Sequence, residues 1–234
     1  MFIVYRAYAG ETDGDLSSLR PNWFSKFNCW ESFWNEFCSV DVVVLWDGEC
    51  SGKFYEHIKM SGVKIFNFGK LGNKGSLEKT YQLLKNSNDK TVCTVEDDFL
   101  FVPGCRDVLL EGFRMGFYMM TPYEHMDRYL WPHNDYSFGK EHIYLGTKCY
   151  YRSVESTTGT CFFRKLTFDF LYDKLIEFNV NDRAFFRYAF SQGIRLFSPM
   201  PGYASHVCVD RGINLMGPFV NWEQLNKSFD YAKN

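Results

Sequence analysis

The N-terminal part of the chain alternates between two apolar patterns. Met1 to Tyr8 is rich in β-branched and aromatic residues and reads as a strand. After a polar, Gly-containing loop through Pro21, the apolar residues Trp23, Phe27, Trp30, Trp34 and Phe37 recur at spacings of four and three, which marks one face of a helix. Val40 to Trp46, apolar except for Asp41, is closed by Asp47-Gly48 and predicts a second strand. Residues 52–60 predict a short helix, Val63 to Phe68 a strand, Ser76 to Lys85 a helix, and the segment from Thr91 a fourth strand. A βαβαβαβ order implies a parallel sheet covered by helices on both faces, whose ligands bind beyond the carboxyl ends of the strands.

That fourth strand stops on three adjacent carboxylates, Glu96, Asp97 and Asp98, before the chain turns apolar again at Phe99. Like charges at the end of a buried strand repel one another and lose hydration, so something cationic must neutralise them. A divalent metal is one solution, because hard oxygen ligands suit Mg2+ or Mn2+ and these ions commonly complete their shell with nucleotide phosphates. An acidic turn that is solvated, or paired with Lys and Arg, is the other. If repulsion among the three dominates, removing one charge should leave the fold intact or improve it.

Placed on the predicted sheet, Asp47 and Glu96 to Asp98 both fall at strand carboxyl ends. Here the chain resembles glycosyltransferases of the GT-A fold, whose signature is Asp-x-Asp at the end of a central strand; Glu96-Asp97-Asp98 matches it with Glu in the first place. Ser156-Thr157-Thr158-Gly159-Thr160, followed by Cys161-Phe162-Phe163-Arg164, is similar to the strand backing the acceptor side in small GT-A enzymes of bacteria and large DNA viruses. Pro199-Met200-Pro201-Gly202-Tyr203-Ala204-Ser205-His206 looks like their closing segment.

The resemblance implies an α/β fold: a single Rossmann-like GT-A domain over residues 1–234, with a mostly parallel central sheet flanked by helices. Residues 1–102 would form the nucleotide-sugar-binding half and 103–234 the acceptor-binding half. It implies a metal-dependent glycosyltransferase moving a sugar from a nucleotide-diphospho-sugar to a hydroxyl on a glycan or on a hydroxymethylated base of viral or phage DNA. Asp98 would ligate Mn2+ or Mg2+ directly, and His206 could return to the metal. Glu96 would face the ribose, Asp97 would act on the metal through water or hold the strand end, and Asp47 would contact the base. For an inverting reaction the base is either Asp182, which opens a predicted helix, Asp182 to Gln192, or Glu155; helix capping also explains Asp182. The alternative class is a nucleotidyltransferase making a nucleotide-sugar. Such enzymes open with a Gly-rich, basic signature near the first strand, and Tyr5-Arg6-Ala7-Tyr8-Ala9-Gly10 is a poor version of it.

Composition narrows the picture a little further. Aromatic residues make up 19% of the 234 positions, so Phe, Tyr and Trp must fill much of the core. A formal net charge of −2 argues against a protein wrapped by nucleic acid, while Lys64, Lys70, Lys74 and Lys79 form either a local basic patch or a solvated face. The eight cysteines are dispersed without a CxxC pair, and no apolar stretch approaches membrane-spanning length. With no signal peptide pattern, these features predict a cytoplasmic protein (host cytoplasm for a viral one) with reduced thiols and no membrane span. Tyr123 to Glu141 is the least regular stretch, and is expected to be a binding loop over the acceptor or a surface loop.

Overall fold

The computed structural model describes residues 1–10, 20–126, 129, 141–210 and 213–229. Strands β1 (Phe2–Tyr8), β2 (Asp41–Asp47), β3 (Lys64–Asn67) and β4 (Thr91–Glu96) alternate with helices α1 (Lys26–Phe37), α2 (Lys53–Met60) and α3 (Gly72–Lys85). There follow β5 (Phe99–Phe101), α4 (Cys105–Arg114), β6 (Met119–Met120), β7 (Ile143–Leu145), β8 (Tyr150–Val154), β9 (Cys161–Arg164), α5 (Lys165–Phe178) and α6 (Asp182–Ser191). The chain continues through β10 (Leu196–Met200), β11 (Ala204–His206), β12 (Val209–Asp210), β13 (Ile213–Asn214) and α7 (Trp222–Ser228).

Nine of these strands form one sheet in the order β3-β2-β1-β4-β9-β6-β10-β8-β7. Strands β9 and β8 run against the direction of the other seven, so the expected α/β architecture with a mostly parallel central sheet is the one observed. Its two faces follow from the period of two along β1. Ile3, Tyr5 and Ala7 pack with Trp30, Phe33 and Phe37 of α1, whereas Val4 packs with Leu77, Tyr81 and Leu84 of α3. Each fully buried aromatic side chain in these layers contributes about 1.5–3 kcal/mol relative to an exposed one.

Two local boundaries differ from the sequence expectation for identifiable reasons. Helix α1 begins only after Ser25, whose Oγ accepts the Asn28 amide at 3.3 Å, so Trp23 lies outside it and packs near α7 instead. Phe33, absent from the predicted stripe, is fully buried, while Phe27 and Trp34 are only partly so, because α1 also packs against α2 through the Phe27–Phe54 pair. Helix α3 starts at Gly72, earlier than Ser76, since its first turn is polar and Gly-rich and apolar periodicity begins only at Leu77.

Of the family-like segments, Cys161 to Arg164 is strand β9 and Ser156 to Thr160 is the loop before it. Pro199 to His206 covers the end of β10 and all of β11. Most of the expected binding loop, including Asp127, Arg128, Trp131, Pro132 and His133, lies outside the described residues. Among the described residues, no helix is long and apolar enough to cross a membrane.

Candidate active site

The acidic triplet is held by three separate cations. Arg6 and Glu96 are register partners on β1 and β4, so their side chains share a face, and Nη1 of Arg6 meets Oε1 of Glu96 at 2.7 Å. The same guanidinium donates to Asn73 Oδ1 at 2.7 Å and to Ser76 Oγ at 3.2 Å on α3. Asp97 Oδ2 accepts from Lys26 Nζ and from the Tyr8 amide, both at 2.9 Å. Asp98 Oδ2 binds Arg20 Nη2 at 2.6 Å and His206 Nε2 at 2.9 Å. Pairing with Lys and Arg, the reading left open beside a metal, therefore holds here. It also corrects the expectation that removing the Asp98 charge would ease folding: that carboxylate is a counter-ion, and its loss would strand Arg20 and His206.

His206 reaches Asp98 through a small antiparallel pairing that the sequence does not announce. Strand β11 runs beside β5 with His206 opposite Phe99, the residue after Asp98, and the Asp98 carbonyl accepts the Val207 amide at 2.9 Å. The imidazole stacks on the Phe99 ring at 5.5 Å. Burial opposes its protonation, but Asp98 outweighs burial and the His206 pKa lies above its ordinary value. For Asp98, burial pushes upward while His206 and Arg20 together hold the carboxyl well below the usual range. Glu96 is raised, first by burial and then by its acidic neighbours, with Arg6 opposing.

Asp182 is placed differently. It is the first residue of α6, but the cap is its neighbour: Asn181 Oδ1 accepts the Ala184 amide at 3.2 Å, so capping does not account for Asp182. Burial, then the charge of Glu96, raises its pKa to about 7, against the opposing pull of Arg6 and the Gly159 amide. Gly159 has no room for a side chain, because a Cβ there would fall 1.9 Å from the Glu96 carboxyl carbon.

One cavity of about 460 Å³ is lined by Asp47, Glu96, Asp97, Asp98, Asp182 and His206 together. Glu155, just beyond β8, is not among its lining residues. Asp47 closes β2 and is buried, with Oδ1 accepting the Leu71 amide at 2.6 Å. Sequence reasoning missed Arg20 and Lys26, which also line the cavity, as does Gly159 of the family-like Ser156 to Thr160 segment. Of the four lysines of the candidate patch, Lys70 lines the cavity, whereas Lys64 and Lys79 lie over the rings of Phe66 and Phe68. The glycines flanking Lys70 at positions 69 and 72, both with positive φ, were the available signal for a loop shaped around something.

Among the described residues, no three His, Cys, Asp or Glu side chains stand together as a metal site. Asp98 and His206 do meet, and Oδ1 of Asp98 is buried without a hydrogen-bond partner among the described residues. This donor set fits Mg2+ or Mn2+ arriving with most of its ligands on nucleotide phosphates, and it does not fit a closed structural zinc site.

No family model matches the chain, and no curated protein sequence does either. Among solved structures, it is similar to a protein from Bacillus anthracis described as a glucose-1-phosphate thymidylyltransferase, in complex with sucrose. The TM-score is 0.52 at 10% identity, over 97% of this chain and 95% of that one. A cytidylyltransferase from Leptospira borgpetersenii matches with a TM-score of 0.44 at 16% identity, over 84% of this chain and 74% of that one. A CMP:2-keto-3-deoxy-manno-octonic acid synthetase complexed with CTP matches with a TM-score of 0.48 at 14% identity, over 86% and 91%. At these identities the likeness concerns the fold. The chain has a Rossmann-like α/β fold, and its candidate site lies, as such sheets lead one to expect, beyond the carboxyl ends of β1, β2 and β4.

Proposed function

We propose that the chain is a metal-dependent glycosyltransferase whose donor is a nucleotide-diphospho-sugar. The observation that carries this reading is the meeting, in one cavity, of the Glu96-Asp97-Asp98 turn with His206 and with Asp182, a carboxyl raised to about 7. Asp98 and His206 would hold Mn2+ or Mg2+. Such an ion, when bound, stabilises the charge that develops on the leaving diphosphate. Asp47 and Glu96 serve the base and ribose, and Lys70 supplies a cation for the phosphates. Lys26 fixes Asp97, and through it the end of β4, against β1.

Asp182 acts as general base. As the acceptor oxygen bonds to the anomeric carbon and the bond from that carbon to the diphosphate breaks, the Asp182 carboxylate takes the hydroxyl proton. A base whose pKa lies near neutrality is both ionised and basic enough to do this. Glu155 is the poorer candidate because it does not line the cavity.

A second reading, nucleotidyl transfer between a nucleoside triphosphate and a sugar phosphate, is favoured by the names of the structural neighbours. In this chain, however, the only basic residue of the Tyr5 to Gly10 stretch, Arg6, is committed to Glu96, Asn73 and Ser76. Incubation with a panel of nucleotide-sugars, with and without Mn2+, and measurement of nucleotide diphosphate release tests the first reading. Turnover only with a sugar 1-phosphate plus a nucleoside triphosphate selects the second. For the acceptor, labelled sugar incorporation into hydroxymethylated DNA, unmodified DNA and glycans is the comparison to make. Transfer to DNA should fall steeply with added salt and transfer to a neutral glycan should not.

A further inference from the structure

The Arg20–Asp98 pair is unevenly satisfied. Two donors, Arg20 Nη2 and His206 Nε2, converge on Oδ2 of Asp98, while Oδ1 of the same carboxylate is buried without a partner among the described residues. On the other side of the pair, the Nε of Arg20 is also buried without a partner among the described residues. The guanidinium is otherwise well seated: it lies over the Phe24 ring at 5.0 Å, and Nη1 donates to the Val207 carbonyl and stands 3.2 Å from His206 Nε2. An ion pair in the wall of a cavity that leaves one acceptor and one donor unsatisfied can take a cation on the first and an anionic oxygen on the second.

We propose that Arg20 is a resident cation of this site: it neutralises Asp98 while no divalent ion is present, and turns its guanidinium to the donor diphosphate when the ion takes Asp98. This rests on the metal-dependent reading above. Its consequence is a coupling between the two ligands. An ion arriving alone must displace a tethered positive charge that then has no anion to meet, so it binds weakly. An ion arriving with a diphosphate gives that charge a new partner, so the two bind cooperatively.

The test uses Mn2+ alone, followed by loss of its free electron-paramagnetic-resonance signal, and the preformed manganese–pyrophosphate complex, followed by calorimetry. Arg20→Gln should bind Mn2+ alone about tenfold or more tightly than wild type and bind the pyrophosphate complex about tenfold less tightly. The gain for Mn2+ alone cannot come from misfolding, which would only lose the site. If Arg20→Gln does not fold, Arg20→Lys carries the test. Its single ammonium keeps fewer of these contacts, and Mn2+ alone should bind about threefold more tightly than to wild type. Unchanged or weakened Mn2+ affinity in the variant overturns the role of Arg20 while leaving the metal-dependent reading in place. No Mn2+ binding by either protein, alone or with pyrophosphate, overturns both.

Discussion

At the end of β4 each of three adjacent carboxylates has a cation of its own, Arg6, Lys26 or Arg20, within 2.9 Å, whereas Asp182 at the start of α6 lines the same cavity without a salt bridge among the described residues. Both regions bury acidic groups, and for Asp98 and Asp182 the outcomes are opposite, whereas burial raises Glu96 in spite of Arg6. The Asp98 carboxyl is held ionised far into acid, while the Asp182 carboxyl is raised to about 7. Asp98, neutralised by Arg20 and His206, is an anchor that can hold a ligand at any physiological pH. An unneutralised one is a proton acceptor whose state is set by its surroundings.

Breaking the anchored side should have the largest effect. Asp98→Asn, and likewise excess EDTA on the wild type, is expected to lower nucleotide diphosphate release about 10³-fold or more. It should also lower stability, by about 3 kcal/mol in urea titrations, because Arg20 and His206 lose their shared counter-ion. Wild-type turnover in either case would remove the metal from the reading, and unchanged stability would show that Arg20 and His206 find other partners.

On the proton-accepting side, Asp182→Asn should slow transfer about 10²-fold or more with little change in donor affinity, because a base acts in the transition state. Wild-type turnover should fall as pH drops below about 7, where Asp182 takes up a proton, and that inflection should be missing from the variant. Glu155→Gln should remain within about twofold of wild type. If Glu155→Gln is inactive and Asp182→Asn is active, the two roles exchange.

Gly159 joins the two regions, since its amide faces Asp182 and its Cα leaves no room beside Glu96. Gly159→Ala should raise the donor KM about tenfold and cost about 1–3 kcal/mol of stability, from the overpacking against Glu96. A variant with wild-type KM would separate Glu96 from donor binding.

The smallest effect expected is on stability, again from Asp182. Its folded-state pKa of about 7 exceeds the unfolded value of about 3.9, so the folded state binds the proton more tightly and loses stability as pH rises between the two. Asp182→Asn should therefore leave Tm nearly unchanged near pH 4 and raise it at pH 8. A lower Tm at pH 8 would mean that the ionised carboxylate is stabilised by contacts other than the Gly159 amide.

What this sequence determined by itself was the part governed by local pattern. The alternation of β1 to β4 with α1 to α3 was legible because the periods of two and 3.6 are written into neighbouring residues, and the same run located the acidic turn at a strand end. The predicted Asp182 helix appeared in place for the same reason. Periodicity was silent wherever partners are distant along the chain. Only the tertiary structure put Arg6 in register with Glu96, brought Lys26 to Asp97, seated Arg20 on Asp98, and carried His206 to the same carboxylate through the β5–β11 pairing. Capping also passed from Asp182 to Asn181, and Lys70 was separated from the other lysines of its patch, by contacts no local window contains. The physical reason is that charge neutralisation acts through space over a few ångströms, and in a crossover sheet the residues within that reach are set by strand order and register. The identity of three carboxylates in a row states that a positive charge is needed; the fold decides which one arrives.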